Sequence, residues 1–280
     1  MTPLILQGAA LNRQQAEIIA HDYNGKLNWR QKFAVIESAN IGQETIHSLR
    51  QQYDFDINVL PESFDSSQAA LLVSDMDSTL ISIECIDEIA DFMNIKPQVA
   101  EITEAAMQGE IDFETSLRKR VSLLSGLDVS VLERVYEDRL QLNPGAEVMV
   151  KTLKAQGVKL ALVSGGFTFF TDRLKERLGL DFTQANILAE KNGKLTGELE
   201  GDICGAQAKA DFLQQCCEQM GIRSSQAVAV GDGANDLLMM RPAGLSIAYH
   251  AKPKVQAQAD TAINYNGLDG ILGLLQLDYN

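Results

Sequence analysis

The sequence predicts an α/β fold with a Rossmann-like parallel sheet, an inserted helical bundle and a small α+β unit in front. From residue 68 onward, short apolar runs alternate with helical periodicities, which is typical of parallel strands joined by covering helices. Between residues 84 and 142 that alternation stops, and four helical periodicities follow one another. A chain of 280 residues can hold one large and one small domain.

Residues 1–66 are predicted to form the small N-terminal domain, which ends in a polar linker. Its predicted elements are the strands Leu4–Leu6, Phe33–Ile36 and Ile57–Leu60 and the helices Arg13–Tyr23 and Gln43–Tyr53. This β-α-β-α-β order resembles half of a ferredoxin-like or ACT-type regulatory module. We therefore expect regulation, and a homodimer formed through this domain.

Residues 67–83 and 143–280 are predicted to form the catalytic core, and residues 84–142 the helical bundle mounted on it. The predicted core strands are Ala70–Ser74, Lys159–Ser164, Gln226–Val230, Leu245–Ala248 and Thr261–Ile263. A hairpin is predicted over Ile187–Leu199, with its turn at the favoured dipeptide Asn192-Gly193. The predicted helices of the bundle are Ile86–Met93, Pro97–Met107, Phe113–Leu124 and Val129–Leu140.

Composition excludes several classes of function. The net charge is −14 with no basic stripe, which argues against nucleic-acid binding. No apolar stretch approaches 18 residues and no signal peptide precedes the fold, so we expect no membrane span and a cytoplasmic location. The four cysteines match no zinc-site spacing and are expected to be reduced thiols.

Two acidic loops follow two of the predicted strands. Asp75 and Asp77 come after the first core strand, while Asp232 and Asp236 come after a later one. Parallel strands present such loops at one edge of the sheet, where open α/β sheets bind ligands. Calcium is excluded, because an EF-hand loop starting at Asp75 would need Gly and Glu where Leu80 and Ile86 stand. A dinucleotide fingerprint fails as well, because its third Gly is missing.

This arrangement suits magnesium-dependent chemistry on a phosphomonoester, whose negative charge repels an attacking anion. Asp75 and Asp232 can each give Mg²⁺ one carboxylate oxygen. Asp75 keeps a second oxygen to attack phosphorus and form an aspartyl-phosphate. Asp77 can protonate the leaving alkoxide and later deprotonate the hydrolytic water.

Phosphate donors are predicted where a strand meets a helix. Ser164, Gly165 and Gly166 end the strand and open a helix, which places a hydroxyl and bare N–H groups at a helix start. A phosphate site also needs a positively charged side chain. Lys209, near the start of the helix that precedes the predicted strand Gln226–Val230, is the best-placed candidate.

The order Asp-x-Asp, Ser, Lys, Gly-Asp-Gly-x-x-Asp resembles the haloacid dehalogenase-like superfamily of aspartyl-phosphate phosphatases, over residues 70 to about 270. Three longer stretches resemble its phosphoserine phosphatase family: Asp75–Glu84, Ser164–Phe170 and Gly231–Leu237. This resemblance implies a helical cap closing over phosphoserine, with the Asp77 backbone carbonyl as a further metal ligand. It also implies the following roles: Glu84 for the substrate ammonium, Arg120 for its carboxylate, Met107 and Phe113 as an apolar gate, Asn235 near phosphate, and Asp236 orienting metal-bound water or Lys209.

Helical spacing supports Arg120 independently, because it falls on the same face as Phe113, Leu117 and Val121. The expected function is hydrolysis of L-phosphoserine to L-serine and phosphate as the last step of serine biosynthesis. A phosphotransferase, or a phosphatase for another small amino-alcohol phosphate, remains an alternative. A phosphate-storing signalling receiver is disfavoured by Asp77 and by the inserted bundle, and a sensing module with vestigial catalysis is disfavoured by the intact motifs.

Overall fold

The computed structural model describes residues 3–37, 41–108 and 110–279. The N-terminal sheet contains β1 Leu4–Gln7, β2 Lys26–Trp29, β3 Phe33–Glu37 and β4 Asp56–Val59, with helices α1 Arg13–Asp22 and α2 Gln43–Gln52. Its strand order is β2-β3-β1-β4, and every pair is antiparallel.

Strand β2 corrects the sequence-based prediction, which contained three strands here instead of four. With β2 the order is β-α-β-β-α-β, a complete ferredoxin-like arrangement and not half of one. The four residues of β2 lie at the edge of the sheet and none is fully buried. An edge strand of this kind carries little of the apolar patterning that identifies buried strands.

The second sheet is the predicted parallel core. Its strands are β5 Leu71–Ser74, β6 Lys159–Phe167, β7 Phe182–Lys191, β8 Lys194–Glu200, β9 Ala227–Gly231, β10 Leu245–Tyr249 and β11 Thr261–Ile263. They lie in the order β11-β10-β9-β5-β6-β7-β8, and only the β7–β8 hairpin is antiparallel. The hairpin turns at Asn192-Gly193, both with positive φ, as a type I′ turn requires. The α/β prediction is confirmed, and β5 lies at the centre of the sheet.

Among the described residues of the inserted bundle there are four helices, as predicted. They are α3 Cys85–Phe92, α4 Lys96–Met107, α5 Phe113–Ser122 and α6 Ser130–Asp138. Its two linkers run side by side: Ile81 pairs with Leu142, and the Ser82 N–H donates to the Gln141 carbonyl at 2.9 Å. The bundle is therefore attached to the sheet through one paired hinge.

The remaining helices cover both faces of the parallel sheet. They are α7 Ala146–Ala155, α8 Thr168–Leu178, α9 Ala206–Met220, α10 Leu237–Met240, α11 Pro253–Gln256 and α12 Gly270–Leu274. Along β5, Leu72 packs into the core under α7 and α8, while Leu71 and Val73 pack into the core under α9 and α10. This burial on both faces explains why the central strands are continuous apolar runs. No helix among the described residues is long and apolar enough to cross a membrane.

Candidate active site

The carboxyl ends of three neighbouring strands bring the predicted motifs together. Asp75 follows β5, Ser164 lies near the end of β6, and Asp232 follows β9, while the sheet places β5 between the other two. After Asp75 the chain makes a tight turn over Met76–Leu80, in which Ser78 has a φ of +57°. The turn folds back over the end of the strand and leaves both motif carboxylates at this edge.

Lys209 links the two acidic loops. Its Nζ lies 2.7 Å from an oxygen of Asp75 and 2.7 Å from an oxygen of Asp236, and its side chain is 1% exposed. Burial alone would lower the pKa of Lys209, but the charges of Asp236 and Asp75 outweigh burial and raise it. The lysine is therefore a fixed, charged cation between two carboxylates.

The positive charge of Lys209 does not balance the negative charges of the carboxylates around it. Burial and the neighbouring Asp236 raise the pKa of Asp75 well above its usual range, against the opposing effect of Lys209. Burial, followed by Asp236, likewise raises the pKa of Asp232. Carboxylate oxygens of Asp75, Asp232 and Asp236 all lie within 4.8 Å of one another. Three carboxylates and one lysine leave two negative charges, so this oxygen-rich site fits a divalent cation.

The carboxylates at this edge have different surroundings. Asp236, predicted to orient metal-bound water or Lys209, contacts Lys209 and also belongs to the carboxylate cluster, whereas the Asp77 side chain does not belong to it. Asp77 instead accepts a hydrogen bond from the Cys85 N–H at 2.8 Å and another from the Ser164 hydroxyl at 3.0 Å. Burial raises the pKa of Asp77 although both hydrogen bonds oppose that shift. A half-buried carboxyl beside Asp75, with a raised pKa, suits acid–base chemistry.

The segment predicted to bind phosphate differs slightly in structure from its prediction. Strand β6 continues through Ser164, Gly165 and Gly166 to Phe167, with a register shift against β7 after Val163, and helix α8 starts at Thr168. The Ser164 hydroxyl accepts from the Gly166 N–H at 2.7 Å. A Cβ on Gly166 would lie 2.7 Å from the Asp77 Oδ2 atom, so any larger residue here would displace this carboxylate.

Two residues that form hydrogen bonds to the predicted site were not predicted from the sequence. The Asn186 side chain, on β7, donates to the Gly165 carbonyl at 2.8 Å and accepts from the Cys204 N–H at 2.8 Å. Thr79 donates its hydroxyl to Asp232 at 3.0 Å. Thr79 lies inside a motif and could have been noticed there, but a single Asn in a strand carries no distinguishing signal.

The helical bundle places Glu84 and Arg120 near the edge of the sheet at which Asp75 and Asp77 lie. Glu84 accepts from the Ser78 hydroxyl at 2.7 Å; desolvation, with the nearby Asp77 charge, raises the pKa of Glu84 to about 7. Burial lowers the pKa of Arg120, while Asp87, Glu84 and Asp77 oppose that shift. Among the described residues, the buried Arg120 Nε has no hydrogen-bond partner.

The three remaining predicted contacts have different outcomes. Phe113, at the start of α5, reaches the core: a Cβ on Gly165 would lie 3.0 Å from its ring. The Asn235 amide oxygen packs over Gly233, at the edge of the acidic loop. The Met107 side chain lies outside the described residues, so its predicted contact stays a prediction.

Comparison with known proteins agrees with this geometry. A family model described as haloacid dehalogenase-like hydrolase matches residues 69–244. A phosphoserine phosphatase of Polaromonas sp. is 53% identical over 225 residues, covering 79% of this chain and 95% of that protein. The chain belongs to the phosphoserine phosphatase family of haloacid dehalogenase-like hydrolases. This membership confirms the resemblance drawn from the motifs.

Solved structures of the family extend the agreement. The crystal structure of a probable phosphoserine phosphatase from Vibrio cholerae superposes with a TM-score of 0.86 at 42% identity, covering 98% of this chain and 86% of that one. A phosphoserine phosphatase with an analogue of the phospho-aspartyl intermediate superposes with a TM-score of 0.69 at 44% identity, covering 75% of this chain and 99% of that one.

Proposed function

We propose that this chain hydrolyses L-phosphoserine to L-serine and phosphate through an aspartyl-phosphate on Asp75, as the last step of serine biosynthesis. The main support is Arg120, a half-buried side chain close to Asp77 and Glu84 whose buried Nε has no hydrogen-bond partner among the described residues. Such a group is costly unless a ligand anion satisfies it. The carboxylate of phosphoserine is that anion, and release of phosphate from phosphoserine is the direct assay.

In the first step, a carboxylate oxygen of Asp75 attacks phosphorus while the bond from phosphorus to the serine oxygen breaks. The oxygen of Asp75 that bonds to Met76 N–H and Lys209 is held in place, which leaves the second oxygen for attack. Asp77 gives its proton to the departing serine oxygen, and its raised pKa favours this role.

In the second step, water attacks the phosphorus of the aspartyl-phosphate and the bond to Asp75 breaks. Asp77, now ionised, takes the proton from that water and returns to its starting state. The Ser164 hydroxyl, the Gly165 N–H and the Lys209 ammonium hold the phosphate oxygens in both steps. These groups are positioned before substrate arrives, so little reorganisation is needed during the reaction.

The bound ion is proposed to be Mg²⁺, held by Asp75, Asp232 and the Asp77 backbone carbonyl, with Asp236 beside it. Bound there, it supplies positive charge that offsets the repulsion between the carboxylates and the phosphate. Exhaustive chelation is expected to stop phosphate release, and Mg²⁺ to restore it. Ca²⁺ should fail, because its larger and less regular coordination shell misplaces the attacking oxygen. Full activity after chelation would contradict the assignment.

Glu84 is proposed to bind the substrate ammonium, which predicts a pH dependence. Because its pKa is raised to about 7, Glu84 is mostly neutral below pH 7 and ionised above it. The ratio of kcat/KM for phosphoserine to that for 3-phosphoglycerate, which carries a hydroxyl in place of the ammonium, should therefore rise through pH 7. Both substrates carry a phosphomonoester and a carboxylate, so the ratio removes the enzyme ionisations that both reactions share, and the comparison with a Glu84 variant isolates Glu84.

In Glu84→Gln the ratio should become independent of pH, whereas Glu104→Gln, at an exposed position on α4, should retain the wild-type rise. A rise that persists unchanged in Glu84→Gln would show that another group reads the ammonium.

Three parts of the chain are proposed to divide the work, with the boundaries predicted from the sequence. Residues 67–83 with 143–280 carry the chemistry, residues 84–142 form a cap that selects the substrate, and residues 1–66 form a regulatory domain. Support comes from the placement of Glu84 and Arg120 in the inserted bundle, while the acidic loops follow core strands. Cap variants should then change substrate choice, while variants of the acidic loops should affect all substrates.

A homodimer formed through the N-terminal domain and a cytoplasmic location complete the proposal. Strand β2 is the outer strand of its sheet and offers an edge for pairing with a second copy. All four cysteines are buried, free thiols, as expected in a reducing compartment. Sedimentation of the purified chain as a monomer would contradict the dimer, and cell fractionation tests the location.

A further inference from the structure

The N-terminal sheet is joined to the edge of the catalytic sheet by two buried side chains of β4. The first, Asn58, donates to the Ala262 carbonyl at 2.8 Å and accepts from the Ala262 N–H at 2.9 Å. Its amide thus completes the hydrogen bonding of edge strand β11 as a neighbouring strand would. This contact fastens the two sheets together.

The second side chain, Asp56, holds the loop that follows β11. Its carboxylate, 3% exposed, accepts hydrogen bonds from the N–H groups of Asn264, Tyr265 and Asn266 at 2.7–3.3 Å, and from the Asn266 side chain at 2.9 Å. Since β11 runs parallel to its neighbour, this loop lies at the same edge of the sheet as the catalytic loops. An N-terminal carboxylate therefore orders a loop on the catalytic edge.

The end of this loop contacts the linker that leads from the inserted bundle back to the catalytic core. The Leu268 N–H donates to the Pro144 carbonyl at 2.7 Å. Gly145, with a φ of +79°, has no room for a side chain because Asp269 packs directly against it. The loop thus fixes the point at which the linker from the cap rejoins the core.

The residue that precedes Pro144 in this linker, Asn143, holds the turn Met76–Leu80, which we call the catalytic turn. Asn143 donates its backbone N–H to the Leu80 carbonyl at 3.0 Å, and its side-chain amide to the carbonyls of Thr79 at 2.7 Å and Ile81 at 3.1 Å. Thr79 in turn donates to Asp232. One side chain therefore fixes the far end of the turn that follows Asp75 and contains Asp77.

We infer that Asp56 is a positioning residue for the catalytic turn, acting through the 264–269 loop, the Pro144–Gly145 segment and Asn143. The N-terminal domain then contributes to catalysis by holding the hinge, in addition to any effect of a ligand that it binds. The kinetic part of this inference rests on the proposed function, while its structural part does not.

Asp56→Asn is the test variant, because either orientation of the amide points an NH₂ group at N–H donors that the carboxylate accepted. We expect faster amide hydrogen exchange at Leu268 and across residues 141–145, and kcat for phosphoserine reduced roughly two- to thirtyfold. KM should change less than kcat. Asn58→Ala is the matched control, since it weakens the same interface on the same strand without touching the loop. It should lower the melting temperature but leave exchange at the hinge and kcat close to wild type.

A double-mutant cycle with Asn143→Ala separates a shared route from independent damage. If Asp56 acts through Asn143, the two losses in kcat combine to less than their product. Multiplicative losses, or unchanged exchange at the hinge in Asp56→Asn, would overturn the inference. Should Asp56→Asn not fold, Asn266→Ala removes one donor to Asp56 and is expected to give a smaller effect in the same direction. If the chain turned over no phosphoserine, the exchange comparison would still decide whether Asp56 holds the hinge.

Discussion

Asp75→Asn is expected to reduce kcat by about 10⁴-fold or more for every phosphomonoester, because an amide is not a nucleophile towards phosphorus. It also removes one of the three clustered carboxylates that fit a divalent cation. The fold should persist, since the pKa of Asp75 is already raised by burial and a neutral side chain relieves the repulsion with Asp236.

Rapid acid quenching with labelled phosphoserine provides the direct measurement. Label should be trapped on Asp75 of the wild-type chain and be absent from the variant. Asp202→Asn, the same change at an exposed position, should leave both turnover and labelling intact. Label recovered on Ser78 or Ser164 would contradict the assignment of the nucleophile.

Arg120→Lys is expected to lower kcat/KM for phosphoserine roughly ten- to a hundredfold. The charge remains, but the planar pair of donors that matches a carboxylate is lost. A lost hydrogen bond to a charged group costs roughly 1.5–3 kcal/mol, which corresponds to that factor. Phosphoethanolamine, which has no carboxylate, should be turned over at a similar rate by the wild-type chain and the variant.

Arg118→Lys is the matched control, because Arg118 lies on the same helix, is exposed and pairs with Glu114. Arg118→Lys should leave kcat/KM unchanged for both phosphoserine and phosphoethanolamine. Lys209→Ala should lower kcat/KM for both substrates by about the same factor, since both present the same phosphate group to Lys209. If Arg120→Lys lowers kcat/KM for both substrates by the same factor, Arg120 does not bind the substrate carboxylate. The proposal that phosphoserine is the substrate then loses the structural observation that mainly supports it.

Much of the site was predictable because buried parallel strands have a strong sequence signature. The strands β5 and β9 are continuous apolar runs followed at once by acidic residues, so both the elements and their functional ends can be read along the chain. The helical spacing around Arg120 similarly predicted which face of α5 turns inward. Edge strand β2 was missed because half-exposed residues carry no such pattern.

The sequence by itself determined the α/β class, the inserted bundle, the motifs and the family, because these depend on local patterning and on short runs of residues. Only the tertiary structure decided that Lys209 is fully buried between Asp75 and Asp236, that Asp236 joins the carboxylate cluster, and that Asn186 braces Gly165. It likewise decided that Asp56 reaches the loop beside the hinge, more than 200 residues along the chain. Such contacts join residues far apart in the sequence, and a single polar residue has no periodicity that reveals its partner before the chain is folded.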